Sequence, residues 1–171
     1  MQTKGKLSSV IFIFSLTLPA YAEIIVGPGA VTGPVNVNIE GTTIVGSTTV
    51  TSGGATNGTN VTGFLLTLDS LLGPSPGTII IQTLNGNALN ANGGNISASN
   101  NVTLLTQNGH AVLANNSSST VNLNGTFIQT TGTGAGIGAI GGTVNATGVT
   151  INNLGNSTPT VSAGHGAMAL P

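Results

Sequence analysis

Downstream of residue 22 only five acidic or imidazole side chains occur: Glu23, Glu40, Asp69, His110 and His165. Cysteine is absent, and the only two basic residues, Lys4 and Lys6, sit at the N-terminus. This inventory bounds the chemistry. Glycoside hydrolysis needs two carboxylates flanking the scissile bond, yet Glu23 and Glu40 belong to the N-terminal segment and Asp69 stands alone. General acid–base and electrostatic catalysis have almost nothing to draw on. A metal site needs several His, Cys or carboxylate ligands close together, whereas His110 and His165 are far apart in the chain and are not a close ligand pair. Both histidines occupy Gly-His-Ala/Gly settings and read as corner residues. Gly132-Thr133-Gly134-Ala135-Gly136-Ile137-Gly138 carries Gly-x-Gly spacing, but a phosphate loop needs a helix behind it and a charged partner. It reads as a turn between strands. No catalytic, cofactor-binding or metal-binding residue is assigned, and no enzyme activity or cofactor is expected.

Charge narrows the partners further. A nucleic-acid surface works by displacing counterions with Lys and Arg, and a basic patch is likewise what holds anionic lipid. Beyond Lys6 the chain has neither residue, so no nucleic-acid partner is expected. Residues 1–22 read as a secretory signal: Lys4 and Lys6, then the apolar run Val10–Leu18, Pro19, and Ala20-Tyr21-Ala22 as an A-x-A site. The apolar run is short of the roughly 20 residues of a membrane span. With no cysteine in an exported chain, stability must come from stacking and burial rather than disulfides.

The elements that carry these residues repeat. Thr83, Gly86, Ala88 and Ala91 return as Thr106, Gly109, Ala111 and Ala114, each at the same offset of 23 along the chain. In a second register Val121 returns as Val144, Asn122 as Asn145, Ile128 as Ile151 and Gly132 as Gly155. Repetition at such a period marks a stack of equal supersecondary units. Within each unit apolar residues alternate with Thr or Asn in short runs, a strand pattern, and helix-building residues are nearly missing. A unit of that length holds three strands and three turns. The expected fold is therefore all-β: a right-handed parallel β-helix, or β-solenoid, with coils of about 23 residues, each strand pairing with its equivalent one coil on. Asn suits its turns, and equivalent Asn side chains can form ladders.

The chain divides into the signal at 1–22 and a solenoid over 23–171. Residues 23 to about 63 show no clear period and read as an irregular N-terminal cap, although Val35–Ile39 and Thr48–Thr51 alternate like strands. Phe64–Leu72 is expected to be a buried strand closed by a turn at Gly73–Gly77. The repeats occupy 78–171. Asn-x-Ser/Thr triplets at Asn57, Asn60, Asn95, Asn101, Asn124 and Asn145 read as a consequence of composition rather than as glycan acceptors.

A signal followed by uncharged Gly/Asn/Thr/Ser repeats resembles the passenger region of pertactin-like autotransporters, through phrases such as Gly142-Thr143-Val144-Asn145-Ala146-Thr147-Gly148-Val149-Thr150-Ile151 and Ser162-Ala163-Gly164-His165-Gly166-Ala167-Met168-Ala169. The resemblance implies export to the bacterial outer membrane, cell surface or medium, a C-terminal translocator barrel in the full-length protein, and a structural or adhesive role, often in virulence, through host-surface or cell–cell contacts. No barrel strands and no Arg-Gly-Asp triplet occur up to Pro171. Two other readings stand beside it: an ice- or polysaccharide-binding solenoid with Thr arrays, and a truncated fragment with no independent function. An exposed last coil is also expected to pair end to end with another copy. N-terminal sequencing of exported protein should begin at Glu23; an intact Met1 in the cytoplasm would overturn the signal reading.

Overall fold

The structure is a computed structural model that describes residues 23–155 and the strand at 161–164; the expected signal and cleavage site, and His165, lie outside the described residues. Strands follow one another in threes. The first coil holds β1 (Ile24–Val26), β2 (Gly29–Thr32) and β3 (Val35–Val37). The second holds β4 (Thr42–Val45), β5 (Thr48–Ser52) and β6 (Thr59–Val61), and the third β7 (Leu65–Asp69), β8 (Ile79–Thr83) and β9 (Leu89–Asn92). Then come β10 (Asn95–Ala98), β11 (Val102–Thr106) and β12 (Val112–Asn115); β13 (Thr120–Asn124), β14 (Phe127–Thr130) and β15 (Ile137–Ile140); and β16 (Thr143–Thr147), β17 (Thr150–Asn153) and β18 (Val161–Gly164). Every third strand pairs, giving three six-stranded sheets: β1-β4-β7-β10-β13-β16, β2-β5-β8-β11-β14-β17 and β3-β6-β9-β12-β15-β18. The strand pairs are parallel. Over the described residues the chain is a parallel β-helix of six coils.

Alternation along each strand sends one set of side chains inward. In β8, Ile79, Ile81 and Thr83 are buried while Ile80 and Gln82 face out. Because coils stack in register, inward residues form columns along the axis. Val50, Ile81, Leu104 and Ile128 are one such column, all fully buried. Val61, Ala91, Ala114 and Ala139 form another, on the third sheet. Small residues there leave room for the Ile and Leu columns of the other two sheets, and all three sets belong to one continuous core. Burying one Leu or Ile side chain stabilises by about 2 kcal/mol, so the repeated columns supply most of the hydrophobic driving force.

The expected repeat offset appears as register: Thr83 lies opposite Thr106 and Ala91 opposite Ala114, and Val121 opposite Val144. It is not uniform. Ile24 pairs with Thr42 and Thr49 with Ile80, offsets far from that of the later coils. The segment expected to be an irregular cap holds two three-stranded coils, with strands from Ile24 onward. Turn lengths differ, between 33–34 and 53–58 inside this segment and again at 70–78 just beyond it, and these differences erase the period while leaving strand register intact. The Phe64–Leu72 expectation holds only in its middle: Leu66 and Leu68 are buried, whereas Leu71 is 73% exposed beyond the end of β7.

One inner column is polar: Ser52, Thr83, Thr106 and Thr130, paired in register at the end of the second sheet and all buried. Thr83 donates to Gly86 O at 2.7 Å and Thr106 to the same carbonyl at 3.3 Å. Among the described residues the Ser52 and Thr130 hydroxyls have no partner. A buried hydroxyl stabilises when bonded and costs free energy when not. Thr83→Val should therefore lower stability by about 1 kcal/mol, while Thr130→Val should leave it unchanged or raise it. Urea unfolding of the two variants measures the difference in sign.

Candidate functional site

The clearest polar construction runs along the turn leading into the third sheet. Asn87 N–H donates to Asn57 Oδ1 at 2.8 Å. One coil on, His110 N–H donates to Asn87 Oδ1 at 2.9 Å. Next, Ala135 N–H donates to His110 Nδ1 at 3.3 Å. Each side chain caps the backbone of the coil above it, and the imidazole takes the place of an Asn carbonyl oxygen. An unprotonated Nδ1 is required to accept, which puts the ring proton on Nε2. Burial is the first cause of a pKa below the ordinary value of 6.5. The N–H donated by Ala135 needs a bare Nδ1, so we take that contact also to favour the neutral ring.

Glycines let these turns lie against one another. A Cβ on Gly109 would meet Gly86 O, and one on Gly134 would meet Gly109 O. The Gly-x-Gly stretch at 132–138 is thus a close-packed turn leading from β14 into strand β15 rather than into a helix. Beside it, Asn side chains bond each other along the axis: Asn60 donates to Asn36 at 3.0 Å and Asn90 to Asn60 at 3.1 Å. Asn108 donates to Asn85 at 2.7 Å and Asn145 to Asn122 at 2.8 Å. These ladders engage Asn60 and Asn145 of the glycosylation-type triplets, and Asn57 is held by Asn60, while Asn95, Asn101 and Asn124 stay exposed.

The acids do not converge. Asp69 closes its own turn, accepting from Leu71 N–H at 2.9 Å and Leu72 N–H at 3.3 Å; Glu23 and Glu40 are exposed. Among the described residues no group of three or more His, Cys, Asp or Glu side chains forms. The turn at Gly73-Pro74-Ser75-Pro76-Gly77 also carries the Gly-x-Ser-x-Gly spacing of a hydrolase elbow, which reading it as a turn passes over. Such an elbow joins a strand to a helix; here Ser75 is exposed in a loop between strands β7 and β8.

The outer faces are uneven. The column Thr49, Ile80, Thr103, Phe127, Thr150 is interrupted at Ile80 and Phe127, so it makes no continuous Thr array. Beside it a shallow groove of about 220 Å³ crosses β8, β11 and β14, and includes Gln82, Leu84, Leu105, Gln107, Gln129 and Thr131. A second hollow, of about 290 Å³, lies over Asn122 and Asn145, whose amides already bond each other. None of the three glutamines stands out in the sequence. Their only signal is that they fall on three successive coils.

The His110 contact sets a pH dependence. Its folded-state pKa lies below the unfolded value, so the stability it contributes is present above pH 6.5 and is lost as pH falls toward the folded pKa. The melting temperature should drop between about pH 7.5 and about pH 5. In His110→Asn, whose amide oxygen can accept as Asn57 and Asn87 do, that drop should shrink with the neutral-pH value kept. Thermal melts of both proteins across this range check it.

No protein-family model, curated protein or solved structure matches the chain.

Proposed function

We propose that this chain is a structural and adhesive β-helix: a surface-displayed or secreted passenger segment of the pertactin-like autotransporter kind, with no catalysis of its own. The observation that carries the reading is the engagement of polar groups in holding the coils. His110 and most of the bonded Asn amides serve the backbone of the next coil or one another, and Asp69 closes its own turn, which suits a rod that extends and presents a surface. On this reading the chain crosses the outer membrane through a translocator barrel encoded beyond Pro171, and its uncharged outer faces meet host or neighbouring cell surfaces.

The location is tested by protease shaving of intact cells expressing the full-length protein. Display predicts loss of the β-helix from intact cells and its appearance in the outer-membrane or medium fraction. Recovery only from the cytoplasm, protected from protease, overturns the proposal.

A further inference from the structure

Beyond Gln2 the chain has three glutamines, Gln82, Gln107 and Gln129, and all three line the same groove. Asparagine is abundant and scattered over turns; glutamine is rare and gathered on one face of the second sheet. Gln82, Leu105 and Gln129 are in register on β8, β11 and β14. Just past the strand ends, Asn108 N–H bonds Leu84 O and Thr131 N–H bonds Thr106 O, which sets Leu84, Gln107 and Thr131 beside the first column. The two columns run amide, leucine, amide against leucine, amide, hydroxyl, a checkerboard.

The amides are also free. Among the described residues no side-chain hydrogen bond engages Gln82, Gln107 or Gln129, in contrast to the Asn ladders. Gln82 and Gln107 are exposed and Gln129 is half-buried. With strands about 4.8 Å apart, Gln82 and Gln129 are separated by about 10 Å along the axis, the length of a disaccharide. A neutral amide both donates and accepts, as a sugar hydroxyl requires, and leucines between the amides can meet the C–H face of a pyranose ring. No charged residue lines the groove.

We propose that this groove binds a neutral, hydroxyl-rich linear glycan, lying along the solenoid axis, with Gln82, Gln107 and Gln129 bonding its hydroxyls and Leu84 and Leu105 packing on its rings. The proposal rests on the adhesive reading and gives it a ligand class. Its test is titration of the full chain with cellohexaose and maltohexaose, read by NMR at the side-chain amides, with hexagalacturonate as the anionic counterpart. At least one neutral hexasaccharide should shift the three glutamine amides and leave the Asn122 and Asn145 amides in place. The double variant Gln82→Ala/Gln129→Ala should weaken that binding about tenfold or more with the circular dichroism spectrum unchanged, and Asn122→Ala should change it less than twofold.

Absence of shifts with both neutral sugars overturns the proposal, as does equal or tighter binding of hexagalacturonate, or unchanged affinity in the double variant. A concentration-dependent dimer in sedimentation that the double variant abolishes would assign the face to a second copy and overturn it too. Protease shaving judges display independently, so a failed glycan site and a failed surface-display reading remain distinguishable.

Discussion

The structure depends on in-register parallel stacking. A strand in one coil has no partner within its own coil; its backbone donors and acceptors are satisfied by the coils before and after it. Val112, for example, lies between Leu89 and Ile137. Unpaired backbone groups buried from water are costly, so a coil is stable only as part of a stack, and stability builds up through neighbour terms. Everything else follows from that repetition. A residue type that suits one coil is placed directly over its equivalent in the next.

Stacking explains why apolar side chains make columns rather than a scattered core, and why Ala follows Ala along one column of the third sheet. It also explains the turns. Where two turns touch, only glycine fits, as at Gly86, Gly109 and Gly134. Where a turn exposes a backbone N–H, an acceptor from the coil before it fills the gap, as Asn57, Asn87 and His110 do in series. The histidine is the informative member, because it replaces an amide whose bonding is indifferent to pH with one that titrates.

How much of this was legible in the sequence varied along the chain. Where turns keep their length, identity recurs at a fixed offset, and Thr83 over Thr106 or Val121 over Val144 could be read directly. The first two coils could not, because a solenoid constrains strand register and leaves turn length free; the change from 33–34 to 53–58, and the long turn 70–78 that follows them, shift the count without disturbing the pairing. The role of His110 was within reach, since it falls one full period after Asn87 just as Ala111 does after Ala88, but a change of residue type hid a shared task of accepting one N–H. The glutamine groove was not within reach. Its members lie in two neighbouring columns, and only the three-dimensional register brings them together.

Stacking also accounts for a composition with only 3% charged residues. A charge repeated on every coil would sit about 4.8 Å from its copies, and at that distance like charges repel by about 1 kcal/mol even in water. A ladder of amides does the reverse: each Asn donates to one neighbour and accepts from the other, gaining about 1 kcal/mol per bond. The charges that do occur avoid repetition, Asp69 lying opposite Val45. Neutral polar side chains are thus what a stacked surface allows, and they divide by length. Asn, held close to the backbone at turns, bonds its copy one coil away. Gln, one methylene longer and placed outward on a strand or just past its end, beside Leu or Thr rather than beside its own kind, has no copy to bond. The repetition that holds the rod together therefore leaves Gln82, Gln107 and Gln129 without a bonded copy among the described residues, and these are the groups that the proposed glycan site would use.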